Sequence, residues 1–130
     1  MGAVMLFSSS AVAATNTPSG QAIFDRNCSV CHSVNPPPKS APPIVPMASR
    51  YHLKFRTKEE AVAHIAAFLK TPDKAKAIDQ QAVTRFGLMP PSTLSAAELR
   101  IVAGWVWDQY NPNMGMGFGG QGMGSGRMNP

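Results

Sequence analysis

The hydrophobic pattern begins with a short amphipathic stretch near residue 20. Gly20, Phe24 and Cys28 recur at intervals of four residues and predict one face of a helix over about 19–27. Ser19 stands where a side-chain cap would start that helix. No part of the chain shows the strict alternation of apolar and polar residues that is typical of strands. The pattern therefore predicts an all-α protein.

Two further helices are predicted downstream. Thr57 and Glu60 have the spacing of a capping box, and an apolar stripe follows them until Pro72 ends the helix. A weaker stripe predicts a third helix over 73–86.

A fourth helix is marked at both ends. Ser95 and Glu98 form a second capping box, and the apolar stripe behind them runs to about Tyr110. Between the first and second helices, residues 35–46 include six prolines and predict a stiff, irregular loop. The basic residues that follow, 50–54, are expected to form a loop as well.

Composition shows that the core is thin. Leu, Ile, Val and Phe number 26 of 130 residues, or 20%, whereas only 15% of the residues are charged. Two cysteines exclude a multi-disulfide scaffold, and no apolar run reaches the roughly 18 residues that span a bilayer. We expect a group other than aliphatic side chains to complete the interior.

The two ends differ from the middle in composition. Residues 1–14 are uncharged and close on small side chains, as in the apolar core and cleavage site of a secretory signal, which predicts export to the periplasm. Residues 111–130 hold seven of the eleven glycines and four of the eight methionines, which predicts a flexible tail. Its methionines could instead bind Cu(I). The folded domain is expected over 18–110.

The candidate chemistry lies in Cys28-Ser29-Val30-Cys31-His32. Two thiols three residues apart, with an imidazole directly after them, are placed to bind a haem covalently and ligate its iron. A zinc site would need about four ligands, and no third cysteine is present. A redox-active dithiol of the thioredoxin type usually follows a strand, and no strand is predicted before this motif. Both alternatives are weaker than haem attachment.

A second iron ligand has four candidates. Met47, Met89, His52 and His64 are the remaining thioether and imidazole donors of the folded part. His64 lies within the second predicted helix, and His52 lies in the segment expected to be a solvated basic loop. Met89 is preferred because its Gly-Leu-Met-Pro-Pro loop can present a thioether rigidly.

These features together resemble a class I c-type cytochrome, from about Gly20 to Tyr110. The motifs that carry the resemblance are Gly20-x-x-x-Phe24, the CxxCH sequence, Ala41-Pro42-Pro43-Ile44, Leu88-Met89-Pro90-Pro91, and Glu98-Leu99 through Trp105. The resemblance implies three to four short helices packed around one covalently attached haem. It also implies that the first and last helices cross near a right angle, with Gly20 and Phe24 against Trp105.

The same resemblance implies the roles of individual residues. Cys28 and Cys31 would form the thioether bonds to one haem c, His32 would be the proximal ligand, and Met89 the distal ligand. The carbonyl of Pro42 would accept a hydrogen bond from His32 and fix the orientation of its ring.

The function implied is that of a periplasmic carrier of single electrons rather than an enzyme. A haem subunit of an oxidoreductase complex, or a gas-binding or sensing haem if Met89 does not ligate iron, is the alternative. The net charge of +5, with Arg50, Lys54, Arg56 and Lys58 close together, favours redox partners with acidic docking surfaces. We expect a monomer, no nucleic-acid partner and no stable membrane span.

Overall fold

The computed structural model describes residues 2–5 and 18–113, and this part of the chain is all-helical, as predicted. It contains α1 Gly20–Asn27, α2 Ile44–Lys54, α3 Lys58–Lys70, a 3₁₀ helix Lys74–Lys76, α4 Gln80–Phe86 and α5 Ala96–Asp108. No helix of the described part is both long and apolar enough to cross a membrane. Most of the expected export signal, 1–14, and most of the expected tail, 111–130, lie outside the described residues.

Hydroxyl side chains cap the N-termini of three helices, at the positions predicted from the sequence. Ser19, Thr57 and Ser95 each accept a backbone N–H of the first turn. Ser95 and Glu98 form the full reciprocal capping box. The Thr57 hydroxyl instead donates to Glu60 Oε1 at 3.1 Å, so this carboxylate contacts the capping side chain. Each such cap is worth about 1 kcal/mol.

The proline-rich loop ends earlier than predicted, because α2 begins inside it at Ile44. The N–H groups of the first helical turn have no acceptor within the helix, so a proline there loses no hydrogen bond. Pro46 occupies this turn. The N–H groups of Ile44 and Val45 donate to the carbonyls of residues 33–34, each at 2.9 Å. The prediction of an irregular loop over all of 35–46 was therefore wrong at its end.

The predicted third helix is divided in two by Asp79. Its Oδ1 accepts the backbone N–H groups of Gln81 and Ala82, at 3.0 and 3.2 Å, which starts α4 at Gln80. Its Oδ2 lies 3.1 Å from Arg50 Nε on α2. The side chain thus replaces the helical hydrogen bonds that a continuous helix would need here.

The core forms where α5 packs against α1, α2 and α3. As predicted, Gly20 and Phe24 of α1 meet Trp105 of α5. The rings of Phe24 and Trp105 stack with centroids 4.7 Å apart and an interplanar angle of 29°. The small Gly20 allows this close contact between the two helices.

Candidate functional site

A cavity of about 410 Å³ opens between the helices. Cavities of roughly 300–1,000 Å³ are typical of cofactor and ligand sites. Every α-helix contributes to its mostly apolar wall, which includes Phe24, Ile44, Tyr51, Ile65, Phe68, Leu69, Val83, Phe86, Val102 and Val106. The thin aliphatic core expected from the sequence therefore surrounds a cavity in the fold.

One wall of the cavity is formed by the CxxCH motif. The chain turns tightly after α1, because the N–H of Cys28 donates to Phe24 O at 2.8 Å and that of His32 to Cys28 O at 2.9 Å. This turn brings Cys28, Cys31 and His32 together on the cavity. The two cysteines are not joined by a disulfide bond.

The His32 ring is held by the loop that precedes α2. Its Nδ1 lies 2.7 Å from the carbonyl oxygen of Pro42, and because a carbonyl only accepts, Nδ1 carries the proton. Burial lowers the pKa of His32, and the hydrogen bond to Pro42 opposes this in part. A neutral ring protonated on Nδ1 leaves the Nε2 lone pair free to ligate a metal.

The Cys28 thiol does not have the electrostatics of a redox-active cysteine. Burial raises the pKa of Cys28, and the neighbouring Cys31 raises it further. Reactive dithiols instead have a lowered pKa, which increases the thiolate fraction. Nor does the described part of the chain hold a group of three or more His, Cys, Asp or Glu side chains arranged to bind a metal ion, so a zinc site has no ligand set there.

Met89 lines the cavity from the loop between α4 and α5. Gly87 lets the chain leave α4 with φ of +85°, a conformation that other residues seldom adopt. The loop is then fixed to α3, since the N–H of Ser92 donates to Leu69 O at 2.8 Å.

Of the other ligand candidates, Met47 of α2 also lines the cavity, whereas His52 and His64 do not. The expectation that His52 lies in a solvated loop was wrong, because residues 50–54 belong to α2. Its ring stacks on Trp107 at 3.5 Å and on Tyr110 at 4.2 Å, and its Nε2 donates to Trp107 O at 2.9 Å. These contacts place His52 in the packing of α2 against α5.

Two polar side chains on the cavity wall were not predicted as site residues. The Tyr51 side chain is buried, and this burial raises its pKa. Asp79 is also buried on the wall, beside its contact with Arg50. Tyr51 lies on α2, which was not predicted from the sequence, so no sequence signal identified Tyr51 as a site residue.

Residues 18–110 match the model of the family described as Cytochrome c. The chain belongs to the cytochrome c family. Comparison with curated proteins found no match, and comparison with solved structures found none either. The family match indicates a class I c-type cytochrome with a small all-helical fold, and haem-based electron transfer as its function.

The cavity of this cytochrome fits a covalently bound haem. Two cysteine side chains and an imidazole with a free Nε2 share one wall, and the remaining surface is largely apolar, as a macrocycle requires. The hydroxyl of Tyr51 adds a polar group to this otherwise apolar wall. The residues that the resemblance selected, Cys28, Cys31, His32, Met89 and Pro42, therefore all line this cavity, and the Pro42 carbonyl also accepts the hydrogen bond from His32.

Proposed function

We propose that this cytochrome is an exported, periplasmic carrier of single electrons, with one haem c attached through Cys28 and Cys31 and ligated by His32 and Met89. The observation that carries the proposal is that one apolar cavity holds His32 on the CxxCH wall and Met89 on a separately anchored loop. When bound, a haem with these ligands supplies a one-electron iron couple of raised potential.

The two cavity methionines differ in how their backbones are anchored. Met47 lies in the first turn of α2, and the backbone at the start of this helix is hydrogen-bonded to residues 33–34, directly after His32. The Met89 loop is hydrogen-bonded to α3 instead. A distal ligand must approach from the side opposite the proximal one, so Met89 is the better candidate.

The surroundings of Met89 suit a permanent ligand. Pro90 and Pro91 follow it and restrict the backbone, so little conformational entropy is lost when the thioether is fixed. Apolar side chains around the cavity exclude water. If His32 and Met89 both held the iron, the protein would leave no ligand position for a substrate, which favours electron transfer over catalysis.

The proposed setting follows from the charges and the N-terminal segment. Residues 1–14 support export, as does a thiol pair of the kind that accepts haem after export. The net charge of +5 supports transient docking to acidic redox proteins, with rates that fall as salt rises.

The ligand proposal is tested by comparing Met89→Ala with Met47→Ala in the holoprotein. The wild type should show the charge-transfer band of thioether-ligated ferric haem in the red, and a pyridine haemochrome spectrum should report two thioether links. Met89→Ala should lose the band and gain rapid binding of carbon monoxide in the ferrous state. Met47→Ala is the matched control and should keep the band.

Two results would contradict this assignment. Loss of the band in Met47→Ala with retention in Met89→Ala would make Met47 the ligand. Rapid, stoichiometric carbon monoxide binding by the wild-type protein would favour a gas-binding haem over an electron carrier.

A further inference from the structure

Three lysines from three separate elements converge on one histidine. Lys54 ends α2, Lys70 ends α3, and Lys76 ends the 3₁₀ helix. The charges of Lys54 and Lys76 act on the imidazole of His64, and Lys70, Lys76 and His64 line one surface depression together with Thr71. We call Lys54, His64, Lys70 and Lys76 the lysine–histidine cluster.

The lysines of this cluster are not neutralised by the protein. None of them forms an ion pair with a described residue, and no carboxylate lines the depression. By contrast, two members of the basic segment seen in the sequence are occupied, since Arg50 pairs with Asp79 at 3.1 Å and Lys58 with Asp108 at 2.9 Å. Lys54, which also belongs to that segment, forms no ion pair with a described residue and contributes its charge to the cluster.

The surroundings of His64 favour its neutral form. Its Nε2 is buried and has no well-formed hydrogen bond to any described residue, and its ring lies 5.1 Å from Phe55 and 6.1 Å from Tyr51. Burial lowers the pKa of His64, and the charges of Lys54 and Lys76 lower it further, while the Lys76 backbone acts in the opposite direction. An arriving anion would oppose the lysine charges and favour the protonated ring.

The other ionisable groups nearby do not offset this effect. Asp73, at the start of the 3₁₀ helix, has its Oδ1 engaged by the N–H of Ala75 at 2.8 Å and forms no ion pair with a described residue. Burial raises the pKa of Tyr51, which keeps its hydroxyl neutral. His64 is therefore the group of the cluster that takes up a proton on the acidic side of neutral pH.

The cluster also lies beside the cofactor cavity. Phe68 of α3 lines both the surface depression and the cavity. A protein bound over the cluster would be separated from the cavity wall by this one aromatic side chain.

We propose that the lysine–histidine cluster is a docking site for a carboxylate-rich surface of a protein redox partner, and that docking takes up one proton from solvent at His64. We infer a carboxylate-rich partner from charge complementarity, because the cluster presents three unpaired ammonium groups around a titratable imidazole. This proposal rests on the proposed function, since it assumes that electrons are exchanged with a partner protein.

A short poly-L-glutamate peptide serves as the probe of this surface. The ferrous holoprotein is titrated between about pH 5 and pH 8 at low salt, with the His64 ring signals followed by NMR. The peptide should raise the pKa of His64, and its affinity should fall as the pH rises. His64→Gln should remove this pH dependence while leaving binding through the lysines.

Lysine variants locate the binding site. Lys54→Gln, Lys70→Gln and Lys76→Gln should each weaken peptide binding about two- to five-fold. Lys39→Gln is the matched control, since Lys39 carries the same charge but donates to Ser29 O of the CxxCH motif at 2.7 Å. It should change binding little.

The proposal is overturned if the peptide leaves the His64 pKa unchanged, or if Lys39→Gln weakens binding more than the cluster variants do. These readouts do not depend on Met89 ligation, which the red charge-transfer band reports. Failure of the docking site and failure of the proposed function can therefore be told apart.

Discussion

Gly20 on α1 lies so close to Trp105 on α5 that a Cβ at position 20 would collide with the Trp105 Cβ. It would also lie 3.0 Å from the carbonyl oxygen of Ile101. Neither neighbour is the flexible end of a side chain, so relief requires movement of a whole helix. The close contact of the two helices thus depends on the absence of a side chain at one position.

Gly20→Ala should therefore destabilise the holoprotein by about 1–3 kcal/mol, the usual range for overpacking a closely fitted interior. Gly104→Ala is the matched control, because the nearest atom to its new Cβ is Lys58 Cε at 3.3 Å, part of a flexible side chain. It should be neutral, or stabilising by up to about 1 kcal/mol through helix propensity. Denaturant midpoints measure both, and equal losses would contradict the role of the Gly20 contact.

Asp79 combines a helix cap, an ion pair and a charge on the cavity wall. Asp79→Asn keeps a capping oxygen but removes the charge opposite Arg50. It should lower the free energy of unfolding by about 1–3 kcal/mol, less than for a fully buried ion pair, because Arg50 is partly exposed to solvent. It should also raise the reduction potential, since a negative charge near the iron stabilises the ferric state. Equilibrium unfolding and redox titration provide the two measurements.

Asp73→Asn is the control for this substitution. Asp73 also caps a helix, with its carboxylate on the N–H of Ala75, but it is exposed and does not line the cavity. The variant should leave both stability and potential nearly unchanged. A potential that responded equally to both substitutions would show that net charge, rather than the position of Asp79, is responsible.

Local signals were enough to predict much of the fold. The side-chain oxygens of Ser19, Thr57 and Ser95 each accept a backbone N–H at the start of a helix. Such a cap depends only on residues close in the sequence, so it can be predicted from the sequence. The CxxCH motif and the Met89 loop were likewise visible as short sequences, and the structure brings both to one cavity.

The failures have a tertiary origin. Helix α2 begins among prolines because its first N–H groups donate hydrogen bonds to the carbonyls of residues 33–34. Helix propensities do not predict such a contact with another segment. Because helix α2 was not predicted, Tyr51 was not expected on the cavity wall and His52 was expected in a loop. Arg50 and Lys58 pair with carboxylates distant in the sequence, which local patterns do not predict.

His64 should give the stability of the holoprotein a dependence on pH. Its pKa is lowered in the folded state, so the unfolded chain takes up a proton first, at about pH 6.5. Its contribution to stability is complete above that pH and is lost as the pH falls towards the folded-state value. Thermal melts of wild type and His64→Gln across this range measure it, and identical pH profiles would contradict the prediction.

The last prediction concerns the chain without its haem. Leaving a cavity of about 410 Å³ empty would cost up to ~10 kcal/mol at about 24 cal/mol per Å³, which is comparable to the whole stability of a typical domain. Water or partial collapse would lower that cost, but both would disrupt the packing of the surrounding helices. The apo chain should therefore be largely unfolded.

A Cys28→Ser/Cys31→Ser variant tests this, because it cannot form the thioether bonds and can be freed of any loosely bound haem. Its far-ultraviolet circular dichroism should show much less helix than the holoprotein and no cooperative thermal transition. Serine replaces each thiol with a group of similar size, so a loss of structure cannot be assigned to side-chain bulk. A native-like, cooperatively melting apoprotein would mean that side chains alone complete the core, and the thin aliphatic content of the chain would then need another explanation.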